Sequence, residues 1–317
     1  MKILFLDSAH PSLKKELEKN NLTCEEDVSS SGAEIEKRIS DYDGIILRSR
    51  ITIDRHFIEA GINLKFIARV GAGMEHIDVA CAESKGIKCI SSPEGNRNAV
   101  AEHALGMLLN LLNNISKANN EVKKGKWIRE DNRATELEGK TIGIYGFGNT
   151  GSAFAKVLKG FDVKILAYDK YKKDFGNEFV KESSPAELFS ETDILSLHLP
   201  LTDETKYMVN DLFISKFRKN IYFINTSRGP IVKTDDLVKN LKSGKILGAC
   251  LDVLEYEEGS FEFLSPFGRG AVGVETLQYL KSSDKVILTP HIAGWSFESQ
   301  RKMAKMLAEK IISLTAK

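Results

Sequence analysis

Residues 141–169 read TIGIYGFGNTGSAFAKVLKGFDVKILAYD. An apolar run (Ile142, Gly143, Ile144, Tyr145) leads into Gly146, Gly148 and Gly151, a helical pattern follows, and a second apolar run ends on Asp169. That order is strand, glycine turn, helix, and strand tipped with a carboxylate. Each glycine has a task in dinucleotide binding: Gly146 permits the tight turn, Gly148 lets the backbone approach a pyrophosphate, and Gly151 lets helix and strand pack closely. Unpaired amides at the helix start then face the phosphates. Asp169, eighteen residues after Gly151, is placed to accept hydrogen bonds from both ribose hydroxyls and to repel a 2′-phosphate, which predicts NAD rather than NADP. The competing reading is a set of helix-packing glycines in a sheet that binds nothing. A second G-x-G-x-x-G, Gly268 to Gly273, has no apolar strand before it and no acid-tipped strand after it, and reads as a loop.

Working outward, the first third of the chain alternates short strands (near Ile3 to Leu6, Gly44 to Leu47, Phe66 to Val70 and Lys88 to Ile90) with amphipathic helices. Such alternation predicts a parallel sheet covered on both faces. A long helical pattern runs from Asn98 to about Asn119, and Glu121 to Glu138 is charged and irregular, so a domain junction is expected near there. Beyond Thr141 strands are expected near Ile165 to Tyr168, Ile194 to Leu197, Ile221 to Ile224, Leu247 to Leu251 and Val286 to Leu288, followed by a final helix from about Ser296 to Leu314. The fold class is therefore α/β, with two doubly wound parallel-sheet domains.

Composition narrows the function. Lysine plus arginine (45) nearly balances aspartate plus glutamate (44), so no broad field draws the protein to nucleic acid or an anionic membrane, and a small-molecule partner is the better expectation. Met1 to Leu6 is too short for a signal-peptide core, no later run approaches a membrane span, and a cytoplasmic protein is expected. Cys24, Cys81, Cys89 and Cys250 show neither metal-ligand nor disulfide spacing, which predicts reduced, buried thiols and no metal.

In open parallel sheets the ligand lies beyond the carboxyl ends of the strands, so the polar residues found there carry most weight. After Ile221 to Ile224 come Asn225, Thr226, Ser227, Arg228 and Gly229; after Leu247 to Leu251 come Asp252 and then Glu257; after Val286 to Leu288 come Thr289, Pro290 and His291. Singly, these read as a solvated arginine, a helix-capping aspartate and a turn histidine. Together, beside a nicotinamide site, they suit hydride transfer, which needs a cation for a substrate carboxylate and an acid/base for an alcohol proton. Arg228 and His291 supply those roles, and a carboxylate such as Glu257 against the far imidazole nitrogen would orient the ring and favour its protonated form. Asp252 reads as a cofactor anchor rather than a second base.

The segments GKTIGIYGFGNTG, ILSLHLPLTDETKYMVN, FINTSRGPIV, GACLDVLEYEE and VILTPHIAG, in that order, resemble the D-isomer-specific 2-hydroxyacid dehydrogenase family over essentially the whole chain. The resemblance implies that Arg228 binds the substrate carboxylate, that His291 is the general acid/base and that Glu257 is its partner. It places Asn149, Thr150, Asp169, Thr226, Asp252 and Gly294 at cofactor contacts, and the cofactor set extends to Gly146, Phe147, Gly148, Gly151, His198, Pro200, Thr205, Ser227, Arg228 and His291. It further implies a Rossmann cofactor domain (96–295) inserted in a flavodoxin-like substrate domain (1–95 plus 296–317), with the long helix from Asn98 and the final helix crossing between the two. Homodimers joined through the cofactor domain are usual in the family.

For the substrate, Gly71, Ala72 and Gly73 look like the family loop whose amides hold the substrate carboxylate, against the plainer reading that Gly73 only permits a positive backbone angle. Leu47, Arg48, Ser49, Arg50 is similar to phosphoglycerate dehydrogenases: two arginines flanking a serine can grip a phosphate dianion by forked hydrogen bonds, or can be solvated. Oxidation of 3-phospho-D-glycerate is thus the leading expectation. A glyoxylate or hydroxypyruvate reductase is the alternative, and an NAD(H)-sensing binding protein of the corepressor kind is the alternative of another class. Two departures from the family stand out. The segment between Glu257 and His291, with Phe261, Phe263 and Phe267, is longer than usual and reads as a dimer contact, a pocket wall or a surface excursion; Trp295 puts a large ring where a small residue is common and reads as a pocket wall or as core. No C-terminal regulatory domain follows, so no serine inhibition through such a module is expected.

Overall fold

A computed structural model describes residues 1–257 and 270–315 and divides into two compact units, Met1–Arg97 with Trp295–Lys317, and Asn98–Gly294. In the first unit the strands β1 (Lys2–Phe5), β2 (Thr23–Glu26), β3 (Gly44–Leu47), β4 (Phe66–Arg69) and β5 (Lys88–Ser91) are all parallel, in the order β2-β1-β3-β4-β5. This is the flavodoxin-like doubly wound order. Period-2 alternation sends Ile3, Phe5, Ile46, Phe66 and Ala68 to one face, where Met303, Ala304, Leu307, Ala308 and Ile311 of the final helix Phe297–Thr315 cover them. Leu4, Ile45, Leu47 and Ile67 point to the other face, against Ile35, Phe57, Ile58 and Ala82. Coverage on both faces is why these strands are apolar throughout.

The second unit holds β6 (Thr141–Tyr145), β7 (Lys164–Tyr168), β8 (Val180–Glu182), β9 (Ile194–Leu197), β10 (Ile221–Asn225), β11 (Ile246–Leu251) and β12 (Val286–Leu288). They pair in the order β12-β11-β10-β9-β6-β7-β8, all parallel. The direction of winding reverses between β6 and β9, and a crevice outside the carboxyl ends is the binding position of such a sheet.

Four local expectations need correction. Two edge strands, β2 and β8, were not expected: β2 is Thr-Cys-Glu-Glu and β8 only three residues, so neither carries an apolar run. The helix expected as one piece from Asn98 to Asn119 is two, Pro93–Leu112 and Ile115–Lys123, because Asn114 takes a left-handed conformation (φ 53°) that Asn tolerates and that ends a helix. The second helix runs into the stretch expected to be irregular. Of the second glycine motif, Gly268 and Arg269 lie outside the described residues, whereas Gly270 to Gly273 open the helix Gly270–Ser282 rather than a loop. That helix buries Gly273, Thr276, Leu277 and Leu280, a helical spacing that makes its apolar face. Phe261, Phe263 and Phe267 also lie outside the described residues.

All cysteines in the described chain are free, but only Cys81 and Cys250 are buried; Cys24 and Cys89 are partly exposed, on β2 and β5 at the two edges of the first sheet. Among the described residues no helix is long and apolar enough to cross a membrane, and no cluster of ligating side chains suits a metal.

Candidate functional site

The glycine turn is built by close approach. Gly146 has φ +98°, and a Cβ there would lie 2.2 Å from the His198 carbonyl oxygen; a Cβ on Gly151 would lie 2.1 Å from the Gly146 carbonyl oxygen. Gly148, the N-cap of the helix Asn149–Val157, instead meets nothing within 4 Å. The turn is therefore closed on its protein side and open on the side where the helix amides point. Asp169, just past β7, accepts hydrogen bonds from the amides of Phe147 (2.8 Å), Tyr171 (2.9 Å) and Lys172 (3.0 Å). Partial desolvation acts to raise this carboxyl, but those three amides and the Lys172 charge outweigh it and hold Asp169 below the usual carboxylate value. The Lys172 ammonium donates to the Phe147 carbonyl, 3.1 Å away.

His198 belongs to the framework. Its ring is buried between Ser196 Oγ (2.9 Å) and Thr150 Oγ1 (3.2 Å), and desolvation pushes its pKa down to about 3, so it is neutral. Both ring nitrogens are already engaged with protein hydroxyls. Thr205 closes its own loop, donating to the Pro200 carbonyl (2.7 Å) and accepting from the Thr202 amide. Thr226 Oγ1, by contrast, is buried and has no hydrogen-bond partner among the described residues. A turn open above Gly148, a helix start, an acid at the second strand and an orphaned buried hydroxyl together suit a dinucleotide.

At the end of β10, Asn225 folds the loop that carries Arg228. Its Oδ1 accepts from the Ser227 amide (3.0 Å) and its Nδ2 donates to the Arg228 carbonyl (3.1 Å), while Ser227 Oγ donates to the Leu197 carbonyl. The Arg228 guanidinium donates to the Ser227 carbonyl at 2.7 Å. Two strands away, beyond β12, His291 Nδ1 lies 2.6 Å from Glu257 Oε2. A carboxylate only accepts, so the imidazole carries hydrogen on Nδ1, which leaves Nε2 as the nitrogen on the side of the ring away from Glu257. Strand spacing puts the ends of β10 and β12 about 10 Å apart, close enough for Arg228 and His291 to address one small molecule.

His291 is held in an unusual backbone state, φ +55°, which costs a non-glycine residue about 1–3 kcal/mol. What offsets it is Asp252. This side chain, 1% exposed, accepts from the amides of Ile292 (Oδ1, 2.9 Å) and Ala293 (Oδ2, 2.9 Å) and from Thr289 Oγ1 (2.6 Å), while the His291 amide donates to the Asp252 carbonyl at 2.8 Å. Asp252 is thus first the organiser of the His291 turn.

In the first unit, Asp7 at the end of β1 accepts from the amides of Arg48 (2.6 Å), Ser49 (3.2 Å) and Arg50 (3.4 Å). The two arginines of the expected grip differ in how their side chains are engaged. Arg50 donates to the carbonyls of Leu6, Ser30 and Asp27, one from each of its three nitrogens. Arg48 has no side-chain hydrogen bond among the described residues and lies over the Trp295 ring, 3.9 Å from its centroid. Trp295 is half-exposed, a platform under a cation rather than core. Buried Arg69 underlies Gly71, and its Nε donates to the Arg48 carbonyl at 3.1 Å, which ties the Gly71 to Gly73 turn to the Arg48 strand end.

Asp7, Arg69 and His103 are residues near these turns to which sequence reasoning gave no role at the site. Only His103 left a signal: a histidine one residue before Ala104, on the buried side of an apolar helix.

Residues 105–293 match the family model described as the D-isomer specific 2-hydroxyacid dehydrogenase, NAD binding domain. The chain is 37% identical over 300 residues to a hydroxypyruvate reductase of Thermotoga maritima, covering 94% of this chain and 91% of the relative. It is 38% identical over 286 residues to a D-3-phosphoglycerate dehydrogenase of Synechocystis sp., of which it spans 48%. Among solved structures, a D-lactate dehydrogenase of Aquifex aeolicus complexed with NAD and lactic acid aligns with a TM-score of 0.85 at 28% identity, over 100% of this chain and 96% of that one. The chain belongs to the D-isomer specific 2-hydroxyacid dehydrogenase family and is an NAD-dependent oxidoreductase acting on a CH–OH group.

Proposed function

We propose that this enzyme interconverts 3-phospho-D-glycerate and 3-phosphohydroxypyruvate, the entry to serine synthesis, as a cytoplasmic homodimer. The carrying observation is the Arg48 guanidinium. It lies over the Trp295 ring and makes no side-chain hydrogen bond among the described residues, so its N–H donors remain for a phosphate. One arginine therefore does what the sequence assigned to two. Bound NAD supplies the hydride acceptor. Arg228 holds the substrate carboxylate as an ion pair, and His291 Nε2 takes the proton of the 2-hydroxyl in oxidation and returns it to the oxygen in reduction. Glu257 keeps Nδ1 protonated and the ring aimed.

A second reading, a hydroxypyruvate or glyoxylate reductase, is favoured by the commitment of Arg50 to three carbonyls and by the full-length likeness to the Thermotoga maritima reductase. The kcat/KM values for phosphohydroxypyruvate, hydroxypyruvate, glyoxylate and pyruvate separate the two. Under the first reading the phosphorylated acid is preferred and Arg48→Ala abolishes that preference; no preference would move the assignment to the second. NADH binding without turnover of any 2-oxo acid would leave only a sensing role.

A further inference from the structure

We infer that His103 is a positioning residue for the turn that presents His291. The inference rests on the reading of His291 as acid/base, and it concerns a side chain on a different element, the helix Pro93–Leu112. His103 Nε2 lies 3.0 Å from Thr289 Oγ1 and 3.6 Å from Asp252 Oδ1. Thr289 has one hydroxyl hydrogen, and its 2.6 Å contact with the Asp252 carboxylate claims it, since the carboxylate only accepts. Thr289 Oγ1 is then the acceptor for His103, which must carry its hydrogen on Nε2. The chain of bonds runs from His103 Nε2–H to Thr289 Oγ1–H to Asp252 Oδ1, and the same oxygen receives the Ile292 amide, one residue past His291.

The arrangement has a purpose that packing alone does not need. Asp252 is fully buried, its two oxygens are bonded on both sides of His291, and His291 sits in a left-handed conformation that those bonds enforce. Thr289 adds a side-chain donor to the two backbone amides that bond the Asp252 carboxylate, and His103 fixes which way its hydroxyl points. Removing the His103 donor frees Thr289 to rotate, for example toward Met107 Sδ, already 3.6 Å away, and loosens the bond that pins the carboxylate. His103 does not touch substrate in this scheme; it acts through Thr289 and Asp252 on the aim of Nε2 of His291. Small errors of aim at an acid/base centre slow the chemical step far more than they weaken cofactor binding.

The test compares His103→Phe, which keeps a ring but loses the donor, with His103→Gln, whose carboxamide donates from nearly the same place. His103→Phe should lower kcat about 10- to 100-fold, raise the isotope effect measured with 4-deuterated NADH, and leave the NADH dissociation constant nearly unchanged. His103→Gln should recover most of the rate. Wild-type kcat and isotope effect in His103→Phe would overturn the inference. So would a loss of rate in both variants that tracks a fall in Tm, with the isotope effect unmoved, since that is a folding defect. His291→Ala is the control: near-normal turnover there removes the reading beneath, whatever His103 does.

Discussion

At the scale of single residues, the proposed site can be dissected by two substitutions that leave the framework intact. His291→Ala should lower turnover by about 100- to 10,000-fold, the usual contribution of a general acid/base, while a fluorescence titration shows NADH binding nearly unchanged; a smaller loss takes His291 out of that role. Arg228→Ala should raise the apparent KM for the 2-oxo acid and lower kcat together, and unchanged steady-state kinetics would refute its carboxylate contact. Gly146→Ala is of another kind. At φ +98° and 2.2 Å from a carbonyl oxygen, the added methyl meets both backbone strain and a clash, so a loss of about 2 kcal/mol or more is expected in denaturant unfolding, along with NADH affinity. Residue identity was legible where chemistry repeats a spacing: Gly146, Gly148, Gly151, Asp169, Glu257 and His291 stand where strand ends and turns required. Arg50 was not legible, because its three partners are backbone carbonyls that have no sequence signature.

At the scale of elements, runs buried on both faces announced themselves, and so did the edge strands β5 and β12, whereas the edge strands β2 and β8 did not. The apolar runs of β1, β3, β4, β6, β9 and β10 are buried almost throughout, whereas β2 and β8 each have a single neighbour and polar or very short sequences. The helix Ile115–Lys123 buries none of its residues in one chain. Ile115 and Val122 on it, and Trp127 (82% exposed) just beyond, form an exposed apolar set on the cofactor unit. This suits the proposed homodimer. Val122→Glu with Trp127→Glu should shift sedimentation toward the monomer, and an unchanged sedimentation coefficient would place any subunit contact elsewhere.

At the scale of the whole molecule, one buried ring contributes to the loss of stability in acid. His198 stays neutral in the folded protein down to about pH 3, whereas an unfolded histidine takes up a proton near its ordinary value of 6.5. Between those values the unfolded chain binds more protons than the native one, so this contribution is complete above pH 6.5 and is lost as pH falls toward 3. Tm should therefore drop on acidification through that window, and His198→Asn should flatten this part of the Tm profile; an equal slope in both proteins would rule His198 out as the source. The amino-acid sequence by itself determined two parallel α/β sheets, a glycine turn followed by a strand tipped with an acid, and the placing of an arginine, a glutamate and a histidine after strand ends, because apolar periodicity and glycine spacing are local properties of a chain. Tertiary structure alone decided which polar groups were already spent on the framework, Arg50 and His198 among them, and which stayed available, as Thr226 and Arg48 did. It alone brought His103 and Asp252 to the His291 turn. Hydrogen-bond satisfaction depends on neighbours distant in sequence, and no local pattern records it.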